Sequence, residues 1–359
     1  MPTTRSLEST RILVEDEEFL DFAETNGWTD GLPVVAPTYD RVAAMLSGTS
    51  RQPAEVLGLV PPAMGLLTVE KVAVNAVMAG CKPGHLPVVL AAVEATMAPE
   101  LNIAGIQTTT HPVSPLIIVN GPVRQQVGIN SGYNVLGQGT RANACIGRAL
   151  RLVLMNAGNC RPGDSDKATH GSPAKYSYCA GENEEESPWP SLRAERGFAD
   201  SESTVTIVGA EAPHNINDHG STDAIGMLTT IAGAMATTGS NNVYYDAEPL
   251  VMLSPEHAAT IANDGYTKDD AKRALFELSG IRLSRFSRSL VERHHVGRWT
   301  GFRREAAMSY LDGGGEDATM PIAEKWEDIM LVVSGGPGRH SAFIPTYGAT
   351  RAVTRLIKP

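Results

Sequence analysis

Four short apolar runs constrain the fold of this chain more than any other feature. The first of them, at 114–120, is β-branched in character and is bounded by Pro115 and the Gly-Pro pair at 121–122. A run that is apolar at every position predicts a strand buried on both faces, which requires helices on both sides of the sheet. The runs are SPLIIVN (114–120), STVTIVGA (203–210), EPLVMLS (248–254) and WEDIMLVVSGG (326–336).

Helical patterns fill the spaces between these strands. Residues 68–98 predict a helical hairpin, with Thr68 as the first N-cap and Gly80 as its C-cap. Further helices are expected after Ser254, with Pro255 at the first helical position, and after Thr267. The sequence therefore predicts an α/β fold, a layered mixed sheet with helices on both faces.

The order of these elements suggests two halves. We predict an N-terminal α/β half over 1–203 and a C-terminal half over 204–359, the second carrying a basic, Gly-rich insertion or mobile flap near 281–322. A weak echo links IIVNGPVRQQVGINSGY to LVVSGGPGRHSAFIPTY and suggests pseudo-repeated halves. Because ligands in open α/β sheets sit beyond the carboxyl ends of the strands, we expect the site in the loops that follow them.

Composition limits the classes of function. The chain has 359 residues with 42% hydrophobic content and many Gly and Pro, which is typical of a compact enzyme. A net charge of −10 without a basic run argues against nucleic acid and anionic membranes as partners. Four cysteines without a C-x-x-C pair, and a first segment without an apolar signal core, predict a cytoplasmic protein with reduced thiols. We expect a homo-oligomer.

The loop-to-helix junction NSGYNVLGQGTRANACIGR (130–148) is a candidate substrate-binding segment. Glycines let backbone N–H groups approach a ligand, Thr140 can cap the helix, and Arg141 in the first turn favours a bound anion. The spacing is neither a Rossmann fingerprint nor a P-loop, and an ordinary glycine-rich turn is the alternative. The candidate substrate-binding residues here are Asn130, Tyr133, Thr140, Arg141 and Asn143.

Two loops of the C-terminal half carry further candidates. GGPGRHS (335–341) offers backbone N–H groups with Arg339, His340 and Ser341, which suits an anion or an oxyanion. HNINDHG (214–220) offers His214 for acid–base catalysis, and Asp218 and His219 as metal-ligand candidates. Their spacing matches no standard zinc motif, so an acid–base pair is the alternative.

The aperiodic stretch 159–203 predicts a functional loop, because so long a segment without regular structure is unusual in a compact domain. Within YCAGENEEESPWP (178–190), Glu182 and Glu184 are the candidate acid–base pair, Cys179 is a candidate nucleophile, and Glu185 and Glu186 are expected to be solvated. The loop and its neighbours also provide Lys175 for substrate binding, His170 as a metal-ligand candidate and His111 as a catalytic candidate.

Several segments together resemble a family of large bacterial proteins labelled UGSC-type selenoproteins. They are NGWTDGLPVVAPT, TTTHPVSPLIIVNGP, GINSGYNVLGQGTRANACIGRA, KATHGSPAKYSYCAGENEEESPW and GGPGRHSAF. The resemblance covers most of the chain and implies thiol or selenol redox chemistry, with no settled activity. This sequence has no selenocysteine and no Gly-Ser-Cys, so that chemistry does not carry over directly.

The candidate residues favour an enzyme, a lyase or a hydrolase. We expect acid–base elimination, hydration or hydrolysis of a small anionic organic substrate, with or without a divalent metal ion as cofactor. The first alternative is a thiol-dependent oxidoreductase that uses Cys179. The second is a non-catalytic anion-binding protein.

Overall fold

The chain has an α/β fold, with 40% helix and 15% strand arranged as mixed sheets flanked by helices. A computed structural model describes residues 7–315 and 317–358. The strands are β1 Val56–Val60, β2 Gly65–Thr68, β3 Ser114–Asn120, β4 Cys179–Gly181, β5 Thr204–Ala210, β6 His214–Asn217, β7 Leu250–Leu253, β8 Ile281–Arg282, β9 Thr319–Met320, β10 Met330–Val333, β11 His340–Ile344 and β12 Val353–Leu356. The helices are α1 Phe19–Thr25, α2 Tyr39–Leu46, α3 Val69–Met78, α4 Leu86–Thr96, α5 Ile103–Thr108, α6 Val123–Val127, α7 Arg141–Asn156, α8 Leu192–Glu195, α9 Ala224–Met235, α10 Asn241–Tyr244, α11 Pro255–Asn263, α12 Lys268–Leu278, α13 Arg288–Gly297 and α14 Gly301–Leu311.

The chain divides into two compact units. Unit 1 contains the described residues up to Gly181, together with Arg196–Gly209 and the chain from Ala352 onward. Unit 2 contains Glu182–Glu195 and Ala210–Arg351. The predicted halves, 1–203 and 204–359, place β5, β12 and 182–195 in the wrong half, because both units are discontinuous in sequence.

A four-stranded sheet in the order β12-β5-β3-β4 forms the centre of unit 1. β3 runs parallel to β4, and β12 runs antiparallel to β5. Every residue of β3 is buried, which confirms the predicted strand at 114–120. The predicted hairpin is also confirmed: the Thr68 hydroxyl accepts from the N–H of Lys71 at the start of α3, and α7 packs against α3 and α4.

One close approach in unit 1 positions the segment that leads into β4. A Cβ atom at Gly147 of α7 would lie 2.6 Å from the backbone nitrogen of Tyr178, so only glycine lets this segment lie against the helix. The Ser177 hydroxyl donates to the carbonyl of Ala144 at 2.8 Å. The residues just before β4 are therefore attached to the middle of α7.

Unit 2 has its own four-stranded sheet, in the order β10-β7-β11-β6. β10 and β7 are parallel, and β11 is antiparallel to both β7 and β6. The N-caps predicted at Ser254 and Thr267 are confirmed, since both side chains accept backbone N–H groups. The core of the unit is built from buried residues of α9, α11 and α12 against this sheet.

The segment 281–322 is an integral part of unit 2. It folds as α13 and α14 with the short antiparallel pair β8 and β9. Val291, Trp299 and Met320 are buried and belong to the hydrophobic core of the unit. The expectation of a mobile flap at 281–322 was therefore wrong. The basic residues that suggested a flap alternate with apolar residues that pack into the core.

The suggested pseudo-repeat is not matched by the strand orders. β3 lies inside its sheet, between β5 and β4, whereas its proposed counterpart β10 lies at a sheet edge beside β7. The two segments share a local pattern of helices, strand and Gly-Pro loop, but that pattern occupies different places in the two sheets.

Among residues 7–315 and 317–358, no single helix combines the length and apolar composition needed to cross a membrane. One pair, Pro83–Thr96 with Pro99–Thr108, meets that test only when taken together, and it is bent by 72°.

Candidate functional site

A cavity of about 560 Å³ lies in unit 1, between α7 and the segment that runs from residue 160 to residue 176. A volume of this size suits a small organic ligand. Its polar lining comes from Asp30, Arg151, Cys160, Asp166, His170, Ser172, Lys175 and Tyr176. Much of the predicted functional loop therefore forms one wall of a cavity.

The loop wall is held by short-range hydrogen bonds. Backbone N–H groups of Asp164, Ser165 and Asp166 all donate to the carbonyl of Arg161, which makes a tight turn. The Ser165 hydroxyl donates to the carbonyl of Asn159 at 2.9 Å. This local bonding gives the segment a defined shape although it contains no long helix or strand.

Arg151 is a buried cation of the cavity lining. It projects from α7 and is only 9% exposed. Its Nε donates to the carbonyl of Lys175 at 2.8 Å, and its Nη2 donates to the Ser114 hydroxyl at 3.2 Å. Both acceptors are neutral, and burial lowers the pKa of the guanidinium from its ordinary value. In the described part of the chain, no carboxylate is ion-paired with Arg151.

Two ion pairs flank this arginine. Arg148 holds Asp30 through two hydrogen bonds of 2.7 and 2.8 Å, and the Lys175 ammonium lies 2.6 Å from Asp166. These two carboxylates are close enough to interact with Arg151, but each already has a cation of its own. Arg148 lies outside the cavity lining but neutralises Asp30, as Lys175 neutralises Asp166, so Arg151 is left without a carboxylate of its own and an anionic ligand could supply one.

The remaining polar groups could take part in binding or proton transfer. The buried hydroxyl of Ser172 has no hydrogen-bond partner among the described residues. His170 and Tyr176 line the cavity and are exposed to solvent. The Cys160 thiol donates to the carbonyl of Gln107 at 3.3 Å, and burial raises its pKa.

His111 lies half-buried beside the base of this loop. Its backbone N–H donates to the Thr109 hydroxyl at 3.1 Å, within a turn. The same turn is bonded to the loop through Thr110, whose carbonyl accepts the N–H of Thr169 at 2.9 Å. His111 is not part of the cavity lining, although its turn is bonded to the loop that is.

The predicted acid–base pair, Glu182 and Glu184, has structural partners in unit 2. Glu182 is 1% exposed and its carboxylate accepts the N–H of Leu192 at 2.9 Å, at the start of α8. Glu184 forms an ion pair of 3.0 Å with Arg193. These contacts give both carboxylates of the segment 178–190 a structural role, so their presence does not by itself indicate catalysis.

Cys179 is buried in β4, and burial raises the pKa of its thiol to about 12. A reactive cysteine needs partial exposure and a nearby positive charge, and desolvation is the only cause acting on this one. The environment of Cys179 is therefore typical of a packed thiol.

The glycine-rich junction is bonded to itself and to neighbouring backbone. Asn143 accepts the N–H of Asn130 and donates to the carbonyls of Asn130 and Cys179, at 2.8, 3.0 and 3.2 Å. The Thr140 side chain makes no capping bond, contrary to expectation. The Nε of Arg141 donates to the carbonyl of Gly80 at 2.9 Å, so its positive charge is offset by the C-terminal end of α3 and no bound anion is needed. Tyr133 is 71% exposed.

In unit 2, the guanidinium of Arg339 also donates its hydrogen bonds to backbone carbonyls. Its Nε donates to the carbonyl of Asp218 at 3.0 Å, and its Nη2 donates to that of Ser221. The Ser341 hydroxyl lies 2.7 Å from Nδ1 of the buried His257. His214 lies exposed on β6.

Asp218 is occupied by its own turn. Its carboxylate accepts the N–H groups of Gly220 and Ser221 and the Ser221 hydroxyl, at 3.0, 2.8 and 2.7 Å. The three metal-ligand candidates, His170, Asp218 and His219, do not form a cluster. Within the described residues, no group of three or more His, Cys, Asp or Glu side chains could hold a metal ion.

Comparison with known proteins gives no guide to function: no protein-family model matches the chain, and no significant match is found among curated proteins. The cavity itself was only partly predictable. His170 and Lys175 were candidates, whereas Arg151, Asp30 and Ser172 were missed. The signal for Arg151 is its position within ALRLVLM, a stretch of α7 that is apolar all round and therefore has no exposed face for an arginine.

Proposed function

We propose that the cavity of unit 1 binds a small organic anion and that the protein catalyses acid–base chemistry on it, as an elimination, hydration or hydrolysis. The location of the proposed site differs from the glycine-rich junction expected from the sequence. The class of ligand is the same.

Arg151 carries this proposal. A buried guanidinium without its own carboxylate is costly, because desolvation is only partly offset by hydrogen bonds to neutral oxygens. A carboxylate or phosphate in the adjoining cavity would supply the missing charge and could accept two parallel hydrogen bonds from the planar guanidinium. The free Ser172 hydroxyl provides a further donor in the same lining.

The other lining groups support proton transfer. His170 carries an imidazole, the side chain that most often transfers protons in enzymes, and is reachable from solvent. Lys175, held by Asp166, places an ammonium group where it could stabilise charge that develops on a substrate oxygen. We assign His170 as the acid–base residue and Lys175 as the electrostatic residue.

Anion binding tests the proposal directly. Acetate, succinate, citrate and inorganic phosphate are titrated into the whole protein and followed by calorimetry and by the melting temperature. At least one of them should bind, and Arg151→Lys should weaken it by about 10–100-fold, the range expected when a charge-assisted bond is lost or misplaced. Lys175→Met should weaken the same anion.

Arg141→Gln is the matched control, since it removes an arginine of the same unit that ends at a backbone carbonyl. Its anion affinity should equal that of the wild type. If Arg141→Gln loses anion binding while Arg151→Lys and Lys175→Met keep it, the anion site lies at the glycine-rich junction and not in the cavity.

Catalysis has a separate readout. Anions that bind are incubated with the protein in D₂O, and proton exchange or product formation is followed by NMR. His170→Ala should retain the anion and lose the exchange or turnover. Binding without any exchange or turnover in the wild type would instead favour a non-catalytic anion-binding protein.

Four free cysteines favour a reducing, cytoplasmic location. We propose a homo-oligomer, with neither nucleic acid nor membrane as partner, in keeping with the net charge of −10. The burial of Cys179 gives no support to the thiol-dependent alternative.

A further inference from the structure

Two exposed histidines of unit 2 face each other at the ends of neighbouring strands. His219 follows β6 and His340 begins β11. Their Nε2 atoms are 3.3 Å apart, their ring centroids are 5.1 Å apart and the ring planes meet at 74°. Neither residue lies in the cavity of unit 1.

The separation of the two nitrogens matches that of two ligands on one tetrahedral ion. With Zn–N bonds of 2.0–2.1 Å at the tetrahedral angle, two imidazole nitrogens lie about 3.3–3.4 Å apart. Ligands at right angles, as in square-planar copper or nickel sites, would lie only about 2.9 Å apart at similar bond lengths. The observed 3.3 Å agrees with the tetrahedral value.

The separation of the ring centroids agrees with the same geometry. Two imidazoles bonded through Nε2 to one tetrahedral ion have centroids about 5.2 Å apart, because both rings point towards the ion beside the line that joins the nitrogens. The two nitrogens also lie within hydrogen-bonding distance; a straight hydrogen bond at this separation would place the centroids about 5.6 Å apart, and a bent one would bring them closer. The observed 5.1 Å agrees with rings that converge.

The backbone around both histidines is fixed. His340 pairs with Asn217 in the register of β11 and β6. The residues on either side of the pair are anchored as well: Arg339 donates to the carbonyl of Asp218, and the Ser341 hydroxyl contacts His257. A ligand pair held this way loses little conformational freedom on binding a metal.

We propose that His219 and His340 form a zinc site, with both Nε2 atoms as ligands and the two remaining tetrahedral positions open to water or to an anionic ligand. Imidazole is a favoured ligand of zinc, and both rings are exposed, so an ion can reach them from solvent. The site does not depend on the anion-binding cavity.

Calorimetric titration of chelator-treated, dialysed protein with ZnCl₂ tests the site. The wild type should bind one equivalent. Since loss of an outer-shell partner alone weakens metal binding by about 10–100-fold, His219→Ala and His340→Ala should each cost at least about tenfold. His214→Ala removes another exposed histidine of β6 and should leave zinc binding unchanged, as should Arg151→Lys.

Cobalt tests the geometry. Co²⁺ in the site should show the intense visible absorption of a tetrahedral complex, and His219→Ala and His340→Ala should lose it. The melting temperatures of the metal-free variants should equal that of the wild type, because both side chains are exposed. The proposal is overturned if the wild type binds no zinc, if both variants bind it as the wild type does, or if the cobalt spectrum is octahedral.

Discussion

Cys179 shows how burial controls the chemistry of a side chain. Its thiol is 4% exposed in β4, and desolvation raises its pKa to about 12. With its pKa raised this far, almost none of this thiol is ionised at pH 8, whereas an unperturbed cysteine is partly ionised there. Because the thiolate is the nucleophile, Cys179 should be chemically inert in the folded protein.

We therefore predict that iodoacetamide leaves Cys179 unlabelled at pH 8 in the native protein and labels it fully in urea. Peptide mapping by mass spectrometry gives the extent of labelling at each cysteine. Cys145, which is only half-buried, is the internal comparison and should react faster. Rapid native labelling of Cys179, accompanied by loss of activity, would revive the thiol-dependent alternative.

The charged residues explain why the site was only partly predictable. Arg141 and Arg339 were attractive as anion ligands because each lies in a glycine-rich segment, yet both donate to backbone carbonyls. The acceptor of Arg141 is 61 residues away in sequence and that of Arg339 is 121 residues away. Sequence shows where a cation lies along the chain but not which acceptor the fold places beside it.

At the level of helices, two threonines occupy the same position with different bonding. Thr68 precedes α3 and its hydroxyl accepts the N–H of Lys71 at 3.3 Å. Thr140 precedes α7 and makes no capping bond. Both residues belong to unit 1, so the two sites can be compared in one folding unit.

We predict that Thr68→Ala lowers the free energy of unfolding by about 1 kcal/mol, the usual value of a lost N-cap. Thr140→Ala should change it by less than about 0.5 kcal/mol, as at an ordinary surface position. Hydrogen exchange of the α3 and α7 peptides under native conditions measures both effects. Equal losses in the two variants would show that the Thr140 hydroxyl caps α7 in solution.

The elements that sequence predicted share a physical property. β3 and β10 are buried at every position and, apart from Ser114 and Asn120 at the ends of β3, are apolar, so their patterns are unambiguous. The strands that were not predicted, such as β6 and β12, are four residues long and each contains only one buried residue. Their strand conformation comes from hydrogen bonds to a neighbour distant in sequence, and a local pattern cannot show that neighbour.

At the scale of the whole molecule, each of the two units is built from segments that are not contiguous in sequence. The chain passes between them at four places, after Gly181, Glu195, Gly209 and Arg351. Unit 1 is therefore completed by its last segment, in which β12 pairs with β5 and the N–H of Ile357 donates to the carbonyl of Ser203. The predicted boundary at 203/204 coincides with none of these places, and the nearest of them, after Gly209, lies six residues further along the chain.

This organisation predicts the behaviour of fragments. A fragment of residues 1–203 lacks β5 and β12, two of the four strands in the sheet of unit 1, and leaves β3 paired with β4 on one side only. Because all seven residues of β3 are buried, the fragment would expose apolar surface and an unpaired strand edge. We expect it to show no cooperative urea transition and to bind the dye ANS.

The matched comparison is a chain that keeps all of unit 1, with 182–195 and 210–351 each replaced by a flexible Gly–Ser linker. It restores both missing strands and should unfold cooperatively, with near-ultraviolet circular dichroism typical of fixed side chains. Since the proposed cavity lies wholly within this unit, the shortened chain should also bind the anion that the full protein binds. Cooperative unfolding of residues 1–203 alone would show that this fragment folds without β5 and β12. Unit 1 would then be a group of residues in contact but not a unit that folds as a whole.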